Sequence, residues 1–217
     1  PPFASVTTLP GIGPRFGKLL ETLCGPRVVS QLWHLPTGLI DRSAEPSLED
    51  AVEGTIITAT VKPLAHIAPN NPRQPYRVSC VNDTGSIDLV FFKARGDYIK
   101  QILPVGEWRV VSGQVDRYGK QLNMVHPDYI VPKERRGEIP RFEPVYPLTA
   151  GLVPKVVVKA VRAALSRVPD LPEWADPHLV KRQHWQSWDK AIQAAHQPSA
   201  PSDLDPTTPA RQRLAYD

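Results

Sequence analysis

The 217-residue sequence predicts an α+β, mostly β protein: a central five-stranded OB-fold barrel between an N-terminal helical segment and a C-terminal helical connector. Three observations predict it. Between residues 52 and 131, five short runs alternate apolar and polar residues with the two-residue period of strands. One helix-like piece, Tyr98 to Leu103, falls between the third and fourth runs, giving the layout of an OB-fold. On either side of this region the apolar spacing turns helical.

The N-terminal segment, residues 1–51, opens with Leu9-Pro10-Gly11-Ile12-Gly13-Pro14-Arg15-Phe16-Gly17, similar to the hairpin of helix-hairpin-helix modules. Glycines there free backbone N–H groups to approach a phosphate at a helix N-terminus. The spacing G-x-G-x-x-x-G is not the dinucleotide fingerprint, and no strand pattern precedes it. The competing reading is a tight turn that caps a helix whose buried stripe is Ile12, Phe16, Leu19, Leu20 and Leu23. A second helix, Val28 to Leu35, stops at Pro36, and residues 43–51 read as an acidic linker.

The barrel, residues 52–131, begins with Ile56 to Val61. Tyr76 to Val81 leads through the turn Asn82-Asp83-Thr84-Gly85 into Ser86 to Phe92. Trp108 to Val115 and Gln121 to Val125 flank the turn Tyr118-Gly119-Lys120. Period two puts Ile87, Leu89 and Phe91 on one face, and Asp88, Val90 and Phe92 on the wetter one. Phe92, followed by Lys93 and Arg95 and then by Tyr98, forms a candidate stacking platform: bases stack on rings while cations meet phosphates. From pattern alone the alternative stands equally, with Phe92 filling the barrel mouth and Tyr98 packed under its helix. Arg73 and Arg77, beside the proline-rich loop Ala65 to Pro75, are further phosphate candidates. So are Arg117 and Lys120 on the hairpin Asp116 to Gln121, although a solvated tip explains them too. His126 reads as a hydrogen-bonded structural residue.

In residues 132–217, Gly151 to Val168 is an amphipathic helix. Trp174, Trp185 and Trp188 mark a second helical region as packing anchors, and prolines lead into a last helix start. The segment reads as a connector towards further domains, and the chain as a fragment of something longer.

A net charge of +4 leans only weakly towards an anionic partner, and no segment is a polybasic tail. Cys24 and Cys80 lack metal or disulfide spacing and read as reduced buried thiols in a cytosolic protein. No apolar run approaches membrane-spanning length. No catalytic constellation or metal motif is present. The phosphate-loop pattern G-x-x-x-x-G-K-[ST] fails, because Gly113 and Gly119 have five intervening residues and Gln121 follows Lys120.

Several motifs, in order along the whole chain, resemble the N-terminal region of the RecG family of bacterial branch-migrating DNA helicases. They are Gly11-Ile12-Gly13-Pro14, Trp33-His34-Leu35-Pro36 through Asp41-Arg42, Phe91-Phe92 before the helix of Tyr98, Met124-Val125-His126-Pro127-Asp128-Tyr129, Val145-Tyr146-Pro147-Leu148-Thr149-Ala150-Gly151-Leu152, and Arg213-Leu214-Ala215-Tyr216-Asp217. The resemblance implies that the barrel is a wedge domain that splits DNA at forks and Holliday junctions. Two aromatics would stack on the first unpaired bases, a role carried by position to Phe92 and Tyr98. It implies an ATP-dependent 3′–5′ helicase whose ATP and magnesium bind in motor domains outside this chain, so that the fragment binds no cofactor and catalyses nothing alone. The partners implied are branched DNA and the protein's own motor domains, at a cytoplasmic, nucleoid-associated location. The other reading is a protein-interaction OB module, docking for example the tail of a single-strand-binding protein, with DNA contact incidental.

Overall fold

A computed structural model describes residues 2–71 and 73–217. The chain packs as two compact units: one holds the segments up to Ile40 and from Pro144 on, and the other holds Asp41–Glu143. The sequence-based divisions at 51/52 and 131/132 therefore fall inside the second unit, and the first and last segments share a unit.

The first unit is helical. Helix α1 (Pro14–Cys24) starts with proline at its first position, where the missing N–H would have had no partner in any case. Helix α2 (Val28–Leu32) is shorter than its apolar pattern suggests. Two short strands, β1 (Gly38–Asp41) and β8 (Phe142–Val145), carry the chain between the units. Helices α4 (Pro154–Leu165), α5 (Pro177–Arg182), α6 (Trp188–His196) and α7 (Pro209–Tyr216) complete the unit. An eleven-residue helix with one apolar stripe cannot bury that stripe alone. Ile12, Leu20, Val28 and Leu32 accordingly share one core with Val157, Val161, Ala164, Trp188 and Ile192. The segment read as a connector is thus half of a domain core. In the glycine turn, Gly11 has φ 71°, a left-handed conformation that suits glycine, and Leu9 and Ile12 point into the core. This is the helix-capping arrangement. His196 is buried, with Nε2 donating to the Leu32 carbonyl at 2.8 Å and Nδ1 accepting from the Tyr146 hydroxyl at 3.0 Å.

The second unit is the barrel. Its strands are β2 (Ile56–Ile67), β3 (Tyr76–Asn82), β4 (Gly85–Phe91), β5 (Arg109–Tyr118), β6 (Gln121–Val125) and β7 (Tyr129–Pro132), with helix α3 (Gly96–Ile102) between β4 and β5. Pairing runs β2–β3–β4–β6–β5 and returns from β5 to β2, while β7 adds a sixth strand beside β5. This is the five-stranded, partly open barrel of an OB-fold. One strand can serve two neighbours because β2 bends: Ile56 to Val61 pair with β5, and Lys62 to Ile67 pair with β3. The register shift between Pro63 and Ala65 marks a bulge, which admits a proline inside a strand and carries β2 six residues beyond its expected end. Ile87, Leu89 and Phe91 are buried in the core as expected, alongside Val61, Val78, Val111 and Met124, whereas Val90, expected on the wetter face, is buried as well. The acidic linker is less free than its composition suggests. Leu48 and Ala51 join the barrel core, and the Leu48 N–H donates to Thr84 Oγ1 at 2.9 Å.

Both cysteines are free; burial pushes the Cys24 thiol up to about 11 and the Cys80 thiol up to about 12. Among the described residues, no helix is long and apolar enough to cross a membrane, and no cluster of side chains suits a metal ion.

Candidate nucleic-acid interface

The end of β4 builds the sharpest surface feature of the barrel. Phe91 turns inward, so period two turns Phe92 outward, and its side chain is 48% exposed. It does not fill the barrel mouth. Ile99 and Leu103 do, from α3 and the residue that ends it, which leaves Tyr98 on the outer side of the helix at 58% exposure. The Phe92 N–H donates to His126 Nε2 at 3.1 Å, and the two rings lie 6.0 Å apart at 37°. The His126 N–H donates in turn to the Val90 carbonyl at 2.8 Å, extending the parallel β4–β6 ladder by one step. His126 and Lys93 both have positive φ, 47° and 54°. Non-glycine residues in this region cost roughly 1–2 kcal/mol each, so the bonds at this corner hold a backbone that the residues alone would not choose. The structural role read for His126 is the observed one, and the residue it positions is Phe92.

Cations gather at the same end. Lys93 and Ala94 line a cleft of about 380 Å³ with Pro69 and Gln74 of the β2–β3 loop and with Tyr76 and Phe91 below. Arg73 lies in that loop, its backbone N–H held by Asn71 Oδ1 at 3.0 Å. Arg77 is on the outer face of β3, between Ile67 of β2 and Val90 of β4. Arg95 caps α3. Arg73, Arg77, Lys93 and Arg95 are all exposed, and among the described residues none forms an ion pair. Phe92, Tyr98 and these four cations therefore occupy one end of the barrel.

Arg117 and Lys120 do not join them. The β5–β6 hairpin is level with the start of β4, since Arg117 pairs with Leu122 and Leu122 with Ile87. Phe92 lies five positions beyond Ile87, roughly 17 Å along a strand. Between the two ends, on the hairpin side, Asp88 and Asp116 flank the buried Asn123 in one cross-strand row. Arg117 is also engaged: Nη2 donates to the Glu49 carbonyl at 2.8 Å and to the Ala51 carbonyl at 3.2 Å, clamping the linker. Its sequence position at a hairpin tip suggested a free cation, but the tertiary fold gives it a packing task. Lys120 remains at the exposed tip beside Tyr118.

The barrel unit also exposes an aromatic outside the candidates, Trp108. Trp108 immediately precedes β5 and has a lysine ammonium on each side, an arrangement that depends on cross-strand register and leaves no mark in the local sequence.

No family model matches the chain. The curated ATP-dependent DNA helicase RecG of Acidithiobacillus ferridurans is 24% identical over 223 residues, covering 99% of this chain and 31% of that protein. The chain thus spans about a third of the length of the curated relative it matches. Among solved structures, RecG bound to a three-way DNA junction aligns with a TM-score of 0.79 at 23% identity, over 99% of this chain and 29% of that one. The second OB-fold domain of replication protein A from Methanococcus maripaludis aligns over 42% of this chain with a TM-score of 0.30, too low to carry an argument. In order of sequence and in fold, from end to end, the chain is similar to the N-terminal wedge region of RecG.

Proposed function

We propose that this chain is the junction-binding part of a branch-migrating DNA helicase, and that its barrel parts the strands of branched DNA at the end of β4. The observation that carries the reading is Phe92: a large exposed ring, braced from behind by His126, at the barrel end that also carries exposed cations with no ion pair among the described residues. Support comes from the likeness to RecG, whose solved complex holds a three-way DNA junction. The unpaired base at a fork loses its stacking neighbour. A ring presented there replaces that contact, at ~1–3 kcal/mol per base, against an unstacking cost of a few kcal/mol. Tyr98 supplies a second ring on the same approach. Arg73, Arg77, Lys93 and Arg95 hold the arms through phosphates, so selectivity is for junction shape rather than sequence. Movement of the duplex past the wedge requires ATP hydrolysis in motor domains that this stretch does not include, and the chain itself performs no catalysis. Its partners on this reading are branched DNA and those motor domains, in the cytoplasm beside the nucleoid.

Fluorescence anisotropy with a three-way fork, a linear duplex and a single strand, each over a salt series, tests the proposal. Four duplex phosphate contacts predict a log–log salt slope of roughly −3.6. Phe92→Ala should reduce fork affinity roughly 5- to 150-fold while changing duplex affinity little. Fork binding unaltered by Phe92→Ala would refute the stacking role. Equal weak binding to all three ligands would give the surface to a protein partner instead.

A further inference from the structure

The second aromatic–cation constellation of the barrel lies on a different flank. Arg109 pairs with Val61 of β2 on one side and with Pro132 of β7 on the other. One step back along β5, Trp108 therefore falls opposite Lys62 and opposite Lys133. Their ammonium nitrogens lie 5.9 and 5.6 Å from the indole centroid, and the ring keeps 37% of its surface exposed. Three separate stretches, one within β2, one just before β5 and one just after β7, deliver these side chains to one row, in the order cation, aromatic, cation. Neither lysine forms an ion pair among the described residues, and Glu107, next to Trp108 in sequence, is taken by Arg109 at 2.8 Å.

We propose that Lys62, Trp108 and Lys133 form a second nucleic-acid site, which takes an unpaired nucleotide of a single strand. The base stacks on the indole, and the phosphates on either side of it draw the two ammonium groups off the ring. A lysine over an exposed indole is held weakly, and a phosphate anion competes for it with full charge. An acidic peptide would use the lysines but leave the ring without a partner, whereas a nucleotide uses both. No carboxylate or amide side chain of the row is free to read a base edge, so binding is indifferent to sequence. The site is independent of the Phe92 reading. Strand β5 pairs with β2, β6 and β7 and with neither β3 nor β4, so the two sites share no residue.

The test uses this chain and a twelve-nucleotide oligothymidine, read by tryptophan quenching and by anisotropy over a salt series. Trp108 is the only tryptophan of the barrel unit. Quenching should be present in the wild type, persist in Phe92→Ala and disappear in Trp108→Phe. Trp108→Ala should weaken oligonucleotide binding roughly 5- to 150-fold, the range for one lost base stack, with Trp108→Phe between it and the wild type. Lys62→Gln/Lys133→Gln, at surface positions that leave the core intact, should lower the salt slope by roughly 1.4, two single-strand phosphate contacts. Quenching retained in Trp108→Phe, or a salt slope unchanged in the double lysine variant, would overturn the proposal. So would quenching by an acidic peptide but not by the oligonucleotide. Loss of fork preference in Phe92→Ala with oligonucleotide quenching intact would separate the two sites.

Discussion

Replacing Arg42 by methionine removes a guanidinium that ties five segments of the barrel unit together. Its side chain is 2% exposed; Nε and Nη2 donate to Glu143 Oε2 at 3.0 and 2.7 Å, and Nη1 donates to Asp128 Oδ2 at 3.0 Å and to Ser112 Oγ at 3.2 Å. The Tyr129 ring lies 4.9 Å from its Cζ, and its backbone carbonyl accepts from Thr58 Oγ1. Thr58 pairs with Ser112 and Ser112 with Tyr129, so the arginine lies across the middle of the β2–β5–β7 sheet. The two carboxylates do not count equally. Asp128 is 50% exposed and can be rehydrated, whereas Glu143 is 17% exposed and would keep, among the described residues, the Tyr129 hydroxyl. Stranding one buried charge costs about 3 kcal/mol, the lower end for broken buried pairs. Loss of the half-exposed partner alone is worth under about 1 kcal/mol. With two units in one chain, a single denaturation curve need not be two-state, so hydrogen exchange read peptide by peptide is the suitable assay. Amides of Ile56–Val61 and Arg109–Ser112 should exchange roughly 150-fold faster in Arg42→Met, and Asp128→Asn should change them less than fivefold. Unaltered exchange in Arg42→Met, or an equal effect from Asp128→Asn, would refute the account.

Two further outcomes follow from packing and burial. A Cβ on Gly113 would lie 3.0 Å from Met124 Sδ and 3.3 Å from Pro127 Cα; the thioether can yield but the backbone cannot, so Gly113→Ala should destabilise the barrel by about 1–3 kcal/mol in the same exchange assay. Burial holds His196 down to about 4 against an unfolded value near 6.5, so the unfolded state binds the extra proton between these values and stability falls as pH drops through this window. Helical-unit stability should fall by on the order of 2 kcal/mol between pH 7.5 and 5, measured by exchange at both pH values, and His196→Gln should flatten that dependence. An equal slope in the variant would assign the effect to other groups.

The barrel was legible because an OB-fold core is written in strand alternation, and Ile87, Leu89 and Phe91 state it without reference to the rest of the chain. The helical unit was legible only in part. The stripe of α1 says that a face is buried but not against what, and its partners on α4 and α6 lie more than a hundred residues away. The same limit hid Arg42, whose side-chain partners stand 70 to 101 positions along the chain. It also made Arg117 look free, when its acceptors are carbonyls of a segment read as a linker. Trp108 went unnoticed for a related reason: its lysines are neighbours across strands, and register is a property of the sheet.

What the register adds to the proposed function is a direction. A barrel that tracks a single strand across its face would need cations along that face, and here the row between the two ends presents Asp88 and Asp116. On the proposed reading, phosphates would be repelled by those acids and drawn to the end of the barrel that carries Arg73, Arg77, Lys93, Arg95 and Phe92. Rigidity is distributed in the same way. Phe92 is bonded to His126, which is bonded to β4, whereas the hairpin at the other end turns on Gly119 at φ 63° and leaves Tyr118 in solvent. A wedge works by failing to yield where the duplex presses on it, so the braced end is the one suited to a fork. The opposite hairpin, separated from it by two acids, is suited at most to a glancing contact. Exchanging Asp88 and Asp116 for asparagine should therefore raise affinity for a continuous single strand more than affinity for a fork, and equal gains for both would mean that the junction lies across the face after all.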